Sequence, residues 1–229
     1  MNKREHREFK DLLYEQFARV GKALASPRRL EMIDLLAQGE RTVEEIARQM
    51  ELPVANVSQH LQVLRRSRLV EARREGLYVR YRLADGRVFE LWRMLREIGE
   101  ERLAEIDRLV GDYLEDRASL EEVSAEELRE MMRGGEVVVL DVRPEEEYRA
   151  GHIAGARSLP VEELEERLER CLRDLPPDRR IVAYCRGPYC VFSDEAVEML
   201  SERGYSAVRL AEGFPEWRAA GFPVETSWG

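Results

Sequence analysis

Val137-Val138-Val139-Leu140-Asp141-Val142 is a run of four valines and a leucine interrupted only by Asp141. Apolar residues in an unbroken run, rather than in alternation, suit a strand buried on both faces, as strands of parallel sheets are. Just before it, Ser124-Ala125-Glu126-Glu127 is a capping box opening a helix through Met132, and Gly134-Gly135 stops that helix. Two further strands are predicted, at Arg180-Ile181-Val182-Ala183-Tyr184 and Ala207-Val208-Arg209-Leu210, with helical stretches at 161–172 and 193–203 between them. Strands alternating with helices mean an α/β fold with a parallel sheet. In such sheets ligands gather at the carboxyl ends of the strands. The strand at 180–184 ends in Cys185-Arg186-Gly187-Pro188-Tyr189-Cys190, and a helix is expected to start near Val191. Backbone N–H groups and the helix dipole there would stabilise a thiolate, and Arg186 would add charge. Position alone leaves a second reading open, in which Cys185 and Cys190 are small buried hydrophobes. Cys171, on an amphipathic helix, is assigned to packing.

Outside this half the composition sets bounds. At 229 residues the chain is long enough for one to two domains. With 36% charged and 44% hydrophobic residues it is too apolar for a disordered polymer and too charged for a membrane protein. No apolar run approaches the roughly 18 residues that a spanning helix needs. Residues 1–10 are charged and carry no secretory signal, so a cytoplasmic address is expected. Three cysteines, an odd number, fit a reducing compartment. The net charge of −9 conceals a split: residues 1–95 hold 19 Lys and Arg against 14 Asp and Glu, a balance of +5, and residues 96–229 hold 18 against 32, a balance of −14. The first half is therefore the one suited to a phosphate partner.

That first half has helical spacing nearly throughout. Phe9, Leu12, Leu13, Phe17 and Val20 mark one helix, and Leu24, Leu30, Ile33, Leu35 and Leu36 a second, with Ser26 as N-cap, Pro27 at the first helical position and Gly39 past the end. Thr42-Val43-Glu44-Glu45 is a capping box for a short third helix with Ile46, Ala47 and Met50 inward. After Pro53 a fourth turns Val57, Leu61 and Leu64 inward and carries Asn56, Ser58, Gln59, His60, Gln62, Arg65 and Arg66 on its other faces. Amides pair with adenine edges, and hydroxyls and Arg with phosphate or guanine, so this helix suits the major groove of double-stranded DNA. The segment 69–83 follows as a hairpin turning at Glu75-Gly76, with Val79, Tyr81 and Leu83 on one face and Arg73, Arg74, Arg80 and Arg82 at its tip and outer face. A long helix over 88–117 and a linker at 118–122 complete the half, giving domains at 1–117 and 123–229.

Helix-turn-helix followed by a basic hairpin is a winged helix. The segment Asn56-Val57-Ser58-Gln59-His60-Leu61-Gln62-Val63-Leu64-Arg65-Arg66-Ser67-Arg68-Leu69-Val70 resembles the recognition helix of the ArsR-type transcriptional regulators, and Ala25-Ser26-Pro27-Arg28-Arg29-Leu30 resembles that family's entry to its second helix. The resemblance covers about 10–95 and implies a homodimer on an inverted-repeat operator, with the first helix and the long helix at the dimer interface. Metal-sensing members of that family use paired cysteines in the third helix or His and carboxylate clusters on the last. Here 42–50 and 88–116 hold neither Cys nor His, so no metal is expected at those positions. His60 is assigned to DNA contact or helix packing.

Leu140-Asp141-Val142-Arg143-Pro144-Glu145-Glu146-Glu147-Tyr148-Arg149-Ala150-Gly151-His152-Ile153-Ala154-Gly155-Ala156 resembles the rhodanese signature, and Gly213-Phe214-Pro215-Glu216-Trp217 with Ala220-Gly221-Phe222-Pro223-Val224 resembles that family's closing segment. This likeness spans about 122–226. It implies that Cys185 is the nucleophile that accepts a sulfane sulfur as a persulfide and passes it to a thiol or cyanide, that 185–190 is the cradle, and that Asp141 and Arg143 brace the loop and tune its electrostatics. It makes His152 structural. The related phosphatases and arsenate reductases have a longer loop with an Arg six places after the Cys; here position 191 is Val, which favours a sulfur atom over a tetrahedral oxyanion. Cys190 either resolves a Cys185 persulfide into a disulfide or packs at the start of the helix.

The expected protein is multi-domain: a mainly-α winged helix-turn-helix followed by an α/β rhodanese-like domain with a parallel sheet. Its expected partners are a double-stranded DNA operator, a sulfane-sulfur donor, a thiol acceptor and a second copy of the chain, with no cofactor and no membrane. The rhodanese-like half either transfers or senses sulfur. The alternatives are a sulfurtransferase on a passive DNA tether and a regulator with an inactive module.

Overall fold

Asn2 opens the first helix, α1 (Lys3–Leu24), with a capping box: its side chain accepts from the backbone of Arg4 and Glu5, and Glu5 accepts from the Asn2 N–H. A computed structural model of the chain describes residues 2–114, 120–167 and 179–227. It divides into two compact units, Met1–Arg96 and Glu97–Gly229. The linker expected at 118–122 lies partly outside the described residues, as does Cys171.

In the first unit α1 is followed by α2 (Pro27–Gln38), strand β1 (Arg41–Thr42), α3 (Val43–Gln49), α4 (Val54–Arg66) and the hairpin β2 (Val70–Glu75) and β3 (Tyr78–Leu83). Thr42 and Glu45 form the expected capping box of α3. Ser26 stands at the N-cap of α2 with Pro27 after it, but its side chain makes no capping bond. β3 pairs antiparallel with both β1 and β2, so the hairpin is tied back to the entry of the helix-turn-helix. The hairpin turns at Gly76-Leu77, one residue later than expected. Gly76 takes a φ of 61°, and the first central position of a two-residue turn favours glycine. Met32, Ile33, Ile46, Val57, Leu61 and Leu64 form the core, on which Tyr81, Leu83 and Trp92 pack. The Trp92 indole donates to Asp34 at 3.2 Å.

The single helix expected over 88–117 is two helices, α5 (Gly86–Arg102) and α6 (Ala104–Tyr113), parted at Leu103, whose φ of −113° and ψ of 93° are extended. Neither proline nor glycine marks the break. What permits it is Gly99: a Cβ there would meet Ile106 at 3.3 Å, so the missing side chain leaves room for Ile106. The apolar face of α1 is also not packed in the single chain. Phe9, Leu12 and Phe17 are 54%, 57% and 60% exposed, whereas Ala23 and Leu24 are buried.

The second unit contains a five-stranded sheet ordered β4 (Glu122–Val123), β9 (Ala207–Leu210), β8 (Arg180–Tyr184), β5 (Val137–Asp141), β7 (Arg157–Ser158), with every neighbouring pair parallel. Alternate residues face two cores. Val137, Val139, Val182, Tyr184, Val208 and Leu210 line one, with Phe214 and Trp217; Val138, Leu140, Ile181, Ala183 and Cys185 line the other, with Ala196, Val197 and Leu200. Burial on both faces is why β5 is an unbroken apolar run. Helix α7 (Ala125–Gly134) has the Ser124–Glu127 capping box and ends at Gly135 with φ 66°. The remaining helices are α8 (Glu145–Ala150), α9 (Phe192–Glu202) and α10 (Phe214–Ala219), and β6 (His152–Ile153) pairs antiparallel with β10 (Val224–Glu225). Of the helix expected over 161–172, Val161–Glu163 forms a 3-10 turn, 164–167 are helical, and 168–172 lie outside the described residues. Among the described residues no helix is long and apolar enough to cross a membrane.

Leu61 is wholly buried in the core of the first unit. Leu61→Ala removes part of that packing and is expected to destabilise this unit by about 2–5 kcal/mol, read as a lower urea midpoint by circular dichroism.

Candidate functional site

Cys185 is the first residue beyond β8, at the carboxyl edge of the sheet, and is 2% exposed. Its sulfur is bonded to that of Cys190. The chain turns at Pro188 and Tyr189, and the Cys190 N–H donates to the Gly187 carbonyl at 3.1 Å, which brings Cys190 back toward the strand end. Cys190 therefore does not open the next helix; α9 begins at Phe192. Tyr189 is 44% exposed and its hydroxyl donates to Glu100.

Arg186 is engaged by an acid. Its Nε and Nη2 donate to Glu147 Oε1 at 2.9 and 2.6 Å, and Nε also approaches Oε2 at 3.1 Å. Glu147 is buried, so the pair balances the charge that Arg186 was expected to lend to a thiolate. The role supported for Arg186 is instead to fix the loop to α8. Glu147 lies among three consecutive glutamates, 39 residues from its partner, and nothing in its local sequence separates it from Glu145 and Glu146.

Beneath the loop, Arg143 Nε donates to Asp141 Oδ1 at 2.9 Å and Nη2 to Oδ2 at 2.5 Å, and both side chains are 0% exposed. The Tyr184 hydroxyl donates to Asp141 Oδ2 at 2.5 Å and accepts from the Ile153 N–H at 3.1 Å. Arg143 Nη2 also reaches the Gly151 carbonyl at 2.8 Å, and its guanidinium lies 4.3 Å from the centre of the Phe214 ring. Burial works against the charge on Arg143, but the Asp141 carboxylate and its hydrogen bonds outweigh it and raise its pKa. Burial, then the charge of Asp141, pushes the Tyr184 phenol well above its ordinary range. Asp141 and Arg143, which the resemblance makes loop-bracing and electrostatic residues, are enclosed on all sides beneath the loop. Tyr184 belongs with them, although in sequence it reads only as one more apolar residue of a buried strand.

Gly213 presses on the loop from the closing segment. A Cβ there would stand 2.4 Å from the Gly187 nitrogen and 2.5 Å from the Arg186 carbonyl carbon and oxygen. The following Phe214 N–H donates to the Cys185 carbonyl at 3.2 Å, and Glu216 accepts from the Gly213 N–H at 3.1 Å. His152 is buried, with Nδ1 2.8 Å from the Tyr148 carbonyl and its ring stacked on Tyr148. Among the described residues no group of three or more His, Cys, Asp or Glu is arranged to hold a metal.

In the first unit, α4 buries Val57, Leu61 and Leu64 and exposes Asn56, Gln59, Gln62, Arg65 and Arg66, with Ser58 and His60 half-buried. Arg19 of α1 donates to the Arg66 carbonyl at 2.8 Å and so satisfies the end of this helix. The hairpin arginines are not bare charges. Arg73 pairs with Glu40 at 3.1 Å, Arg80 with Glu75 at 2.8 Å and Arg82 with Glu71 at 2.8 Å, while Arg74 bonds the Gly76 carbonyl at 3.4 Å. These pairs are largely exposed, and surface pairs of this kind hold weakly enough to exchange for phosphate.

A winged helix-turn-helix with an exposed, amide-bearing recognition helix, followed by an α/β unit with a cysteine loop at a strand end, defines a DNA-binding regulator with an appended rhodanese-like domain. Residues 26–72 match the bacterial regulatory proteins of the arsR family, and residues 124–220 match the rhodanese-like domain. The chain belongs to the ArsR family of regulators, in the form that carries a C-terminal rhodanese-like domain. It is 45% identical over 216 residues to the HTH-type transcriptional regulator Rv0324 of Mycobacterium tuberculosis, covering 94% of this chain and 93% of that one. It is also similar to the homodimeric winged helix-turn-helix DNA-binding domain of Mb0332 from Mycobacterium bovis, at 48% identity over 41% of this chain and 87% of that one, with a TM-score of 0.39. A rhodanese-related protein of Thermoplasma volcanium is 31% identical over 45% of this chain and 96% of that one, with a TM-score of 0.40.

Two substitutions test the architecture of the loop. Asp141→Asn leaves Arg143 buried without its counter-charge and is expected to cost about 3–5 kcal/mol of stability in the second unit, measured by chemical denaturation. Gly213→Ala must displace backbone, and is expected to cost about 1–3 kcal/mol and to speed alkylation of Cys185 in the reduced protein, followed by peptide mass spectrometry.

Proposed function

We propose that this regulator binds a double-stranded DNA operator as a cytoplasmic homodimer, and that its rhodanese-like domain takes sulfane sulfur onto Cys185 and so sets operator affinity. The observation that carries the reading is the pairing of Cys185 with Cys190 in one loop at the end of β8. The first unit has no thiol, since all three cysteines lie beyond residue 170. Any sulfur signal therefore enters through the second unit.

Asn56, Ser58, Gln59, His60 and Gln62 would read base edges, with Arg65 and Arg66 on the flanking phosphates and Arg73, Arg74, Arg80 and Arg82 exchanging their carboxylate partners for phosphate at the hairpin. The exposed apolar residues of α1, among them Phe9, Leu12 and Phe17, together with Leu103, Leu109 and Tyr113 toward the end of the long helical segment, support a second copy as their cover. The donor would be a persulfide, polysulfide or thiosulfate, and the acceptor a thiol.

The test uses an operator selected by the full-length protein from random-sequence DNA, with binding measured by fluorescence anisotropy before and after polysulfide treatment. Polysulfide is expected to change the affinity of the wild-type protein, and Cys185→Ser to abolish the change while leaving untreated binding intact. Sulfur uptake with unchanged affinity would favour a sulfurtransferase on a passive DNA tether. No uptake from any of the three donor classes would favour an inactive module.

A further inference from the structure

The disulfide assigns Cys190 a chemical part in the cycle. We propose that Cys190 resolves the Cys185 persulfide intramolecularly, so that the domain reduces sulfane sulfur to hydrosulfide and stores the two-electron oxidation as the Cys185–Cys190 bond. This rests on the preceding reading that Cys185 accepts sulfane sulfur, and it names what happens next.

In the dithiol state the Cys185 thiolate attacks the outer sulfur of a persulfide donor. A sulfur–sulfur bond forms on Cys185, the donor's own sulfur–sulfur bond breaks, and the donor leaves as a thiolate. The Cys190 thiolate then attacks Cys185 Sγ. The bond from Sγ to the transferred sulfur breaks, and that sulfur departs with the electron pair as hydrosulfide. The transferred sulfur gains two electrons, and the two cysteine sulfurs lose one each on forming the disulfide. No other oxidant is needed, because the donor's sulfane sulfur is the oxidant. A low-molecular-weight or protein dithiol closes the cycle by reducing the disulfide.

Three observations carry this. The two sulfurs are within bonding reach in the folded loop, whose ends are fixed by the Phe214 N–H on the Cys185 carbonyl and the Cys190 N–H on the Gly187 carbonyl. The resolving step therefore needs no large rearrangement, and a persulfide on Cys185 has an internal attacker at high effective concentration. Burial then sets the order of the return step: Cys185 is 2% exposed whereas Cys190 is only half-buried, so an external thiol attacks Cys190 and expels Cys185 as the thiolate that starts the next turn. Finally, Arg186 is tied by Glu147 and leaves no free guanidinium in this loop to stabilise a long-lived persulfide anion, which suits transit rather than storage.

The test is a single turnover of the full-length, fully reduced and desalted protein with one equivalent of glutathione persulfide, read by intact and peptide mass spectrometry and by hydrosulfide trapped with monobromobimane. Wild type is expected to lose the mass of two hydrogens, to show the Cys185–Cys190 peptide pair, and to release hydrosulfide in step with disulfide formation. Cys190→Ser is expected to gain the mass of one sulfur atom on Cys185, with hydrosulfide release falling to the level of Cys185→Ser; that gain also shows that the variant is folded and competent. If wild type instead keeps the added sulfur, with neither disulfide nor hydrosulfide above the Cys185→Ser level, the resolving role is overturned while sulfur uptake at Cys185 stands. If neither wild type nor Cys190→Ser takes up sulfur, the reading on which the proposal rests fails with it.

Discussion

The cluster of Asp141, Arg143 and Tyr184 is the constraint on which the carboxyl edge of the sheet in the second unit depends. A carboxylate and a guanidinium with no exposed surface each carry a desolvation penalty of several kcal/mol, offset only when the geometry is close and the remaining hydrogen-bonding atoms are satisfied. Here the carboxylate accepts from Arg143 twice and from Tyr184, and Arg143 also donates to Gly151 and stacks on Phe214. The register Asp141↔Tyr184 places the carboxylate and the phenol at the matched ends of β5 and β8. Cys185 is the next residue. Where Cys185 sits follows from where this ion pair closes.

Around that anchor the loop is held from three directions. Glu147 of α8 fixes Arg186, Gly213 packs on the Arg186 and Gly187 backbone, and Cys190 is bonded to Cys185 itself. The first two constraints come from charge and from van der Waals contact and do not depend on redox state. The third is a covalent bond that reduction would break.

The first unit distributes charge in another way. The +5 balance of residues 1–95 is not concentrated on the hairpin, where Glu40, Glu71 and Glu75 face the arginines, and the recognition helix is left with short polar groups over its first turns and Arg65 and Arg66 at its end. Exposed pairs of this kind are individually weak.

The sequence by itself determined the two modules, every strand of three or more residues in the described sheets, the capping boxes at Thr42 and Ser124, and the cysteine loop at a strand end. Each of these is written in local periodicity or in side chains three residues apart, so a short window suffices. It did not determine the break at Leu103, because one extended residue scarcely disturbs an apolar stripe and the space that permits it belongs to Gly99. Nor did it distinguish Glu147 from its neighbours, give Gly213 its contact with the loop, or set the hairpin arginines against their glutamates. The Glu147 and Gly213 contacts span long stretches of chain and rest on burial and close approach, and the hairpin pairs depend on which side chains the folded strands bring opposite one another. Whether Cys190 would pack or bond was likewise a question of how the loop bends, and a distance between two sulfurs is settled only when the whole chain has folded around them.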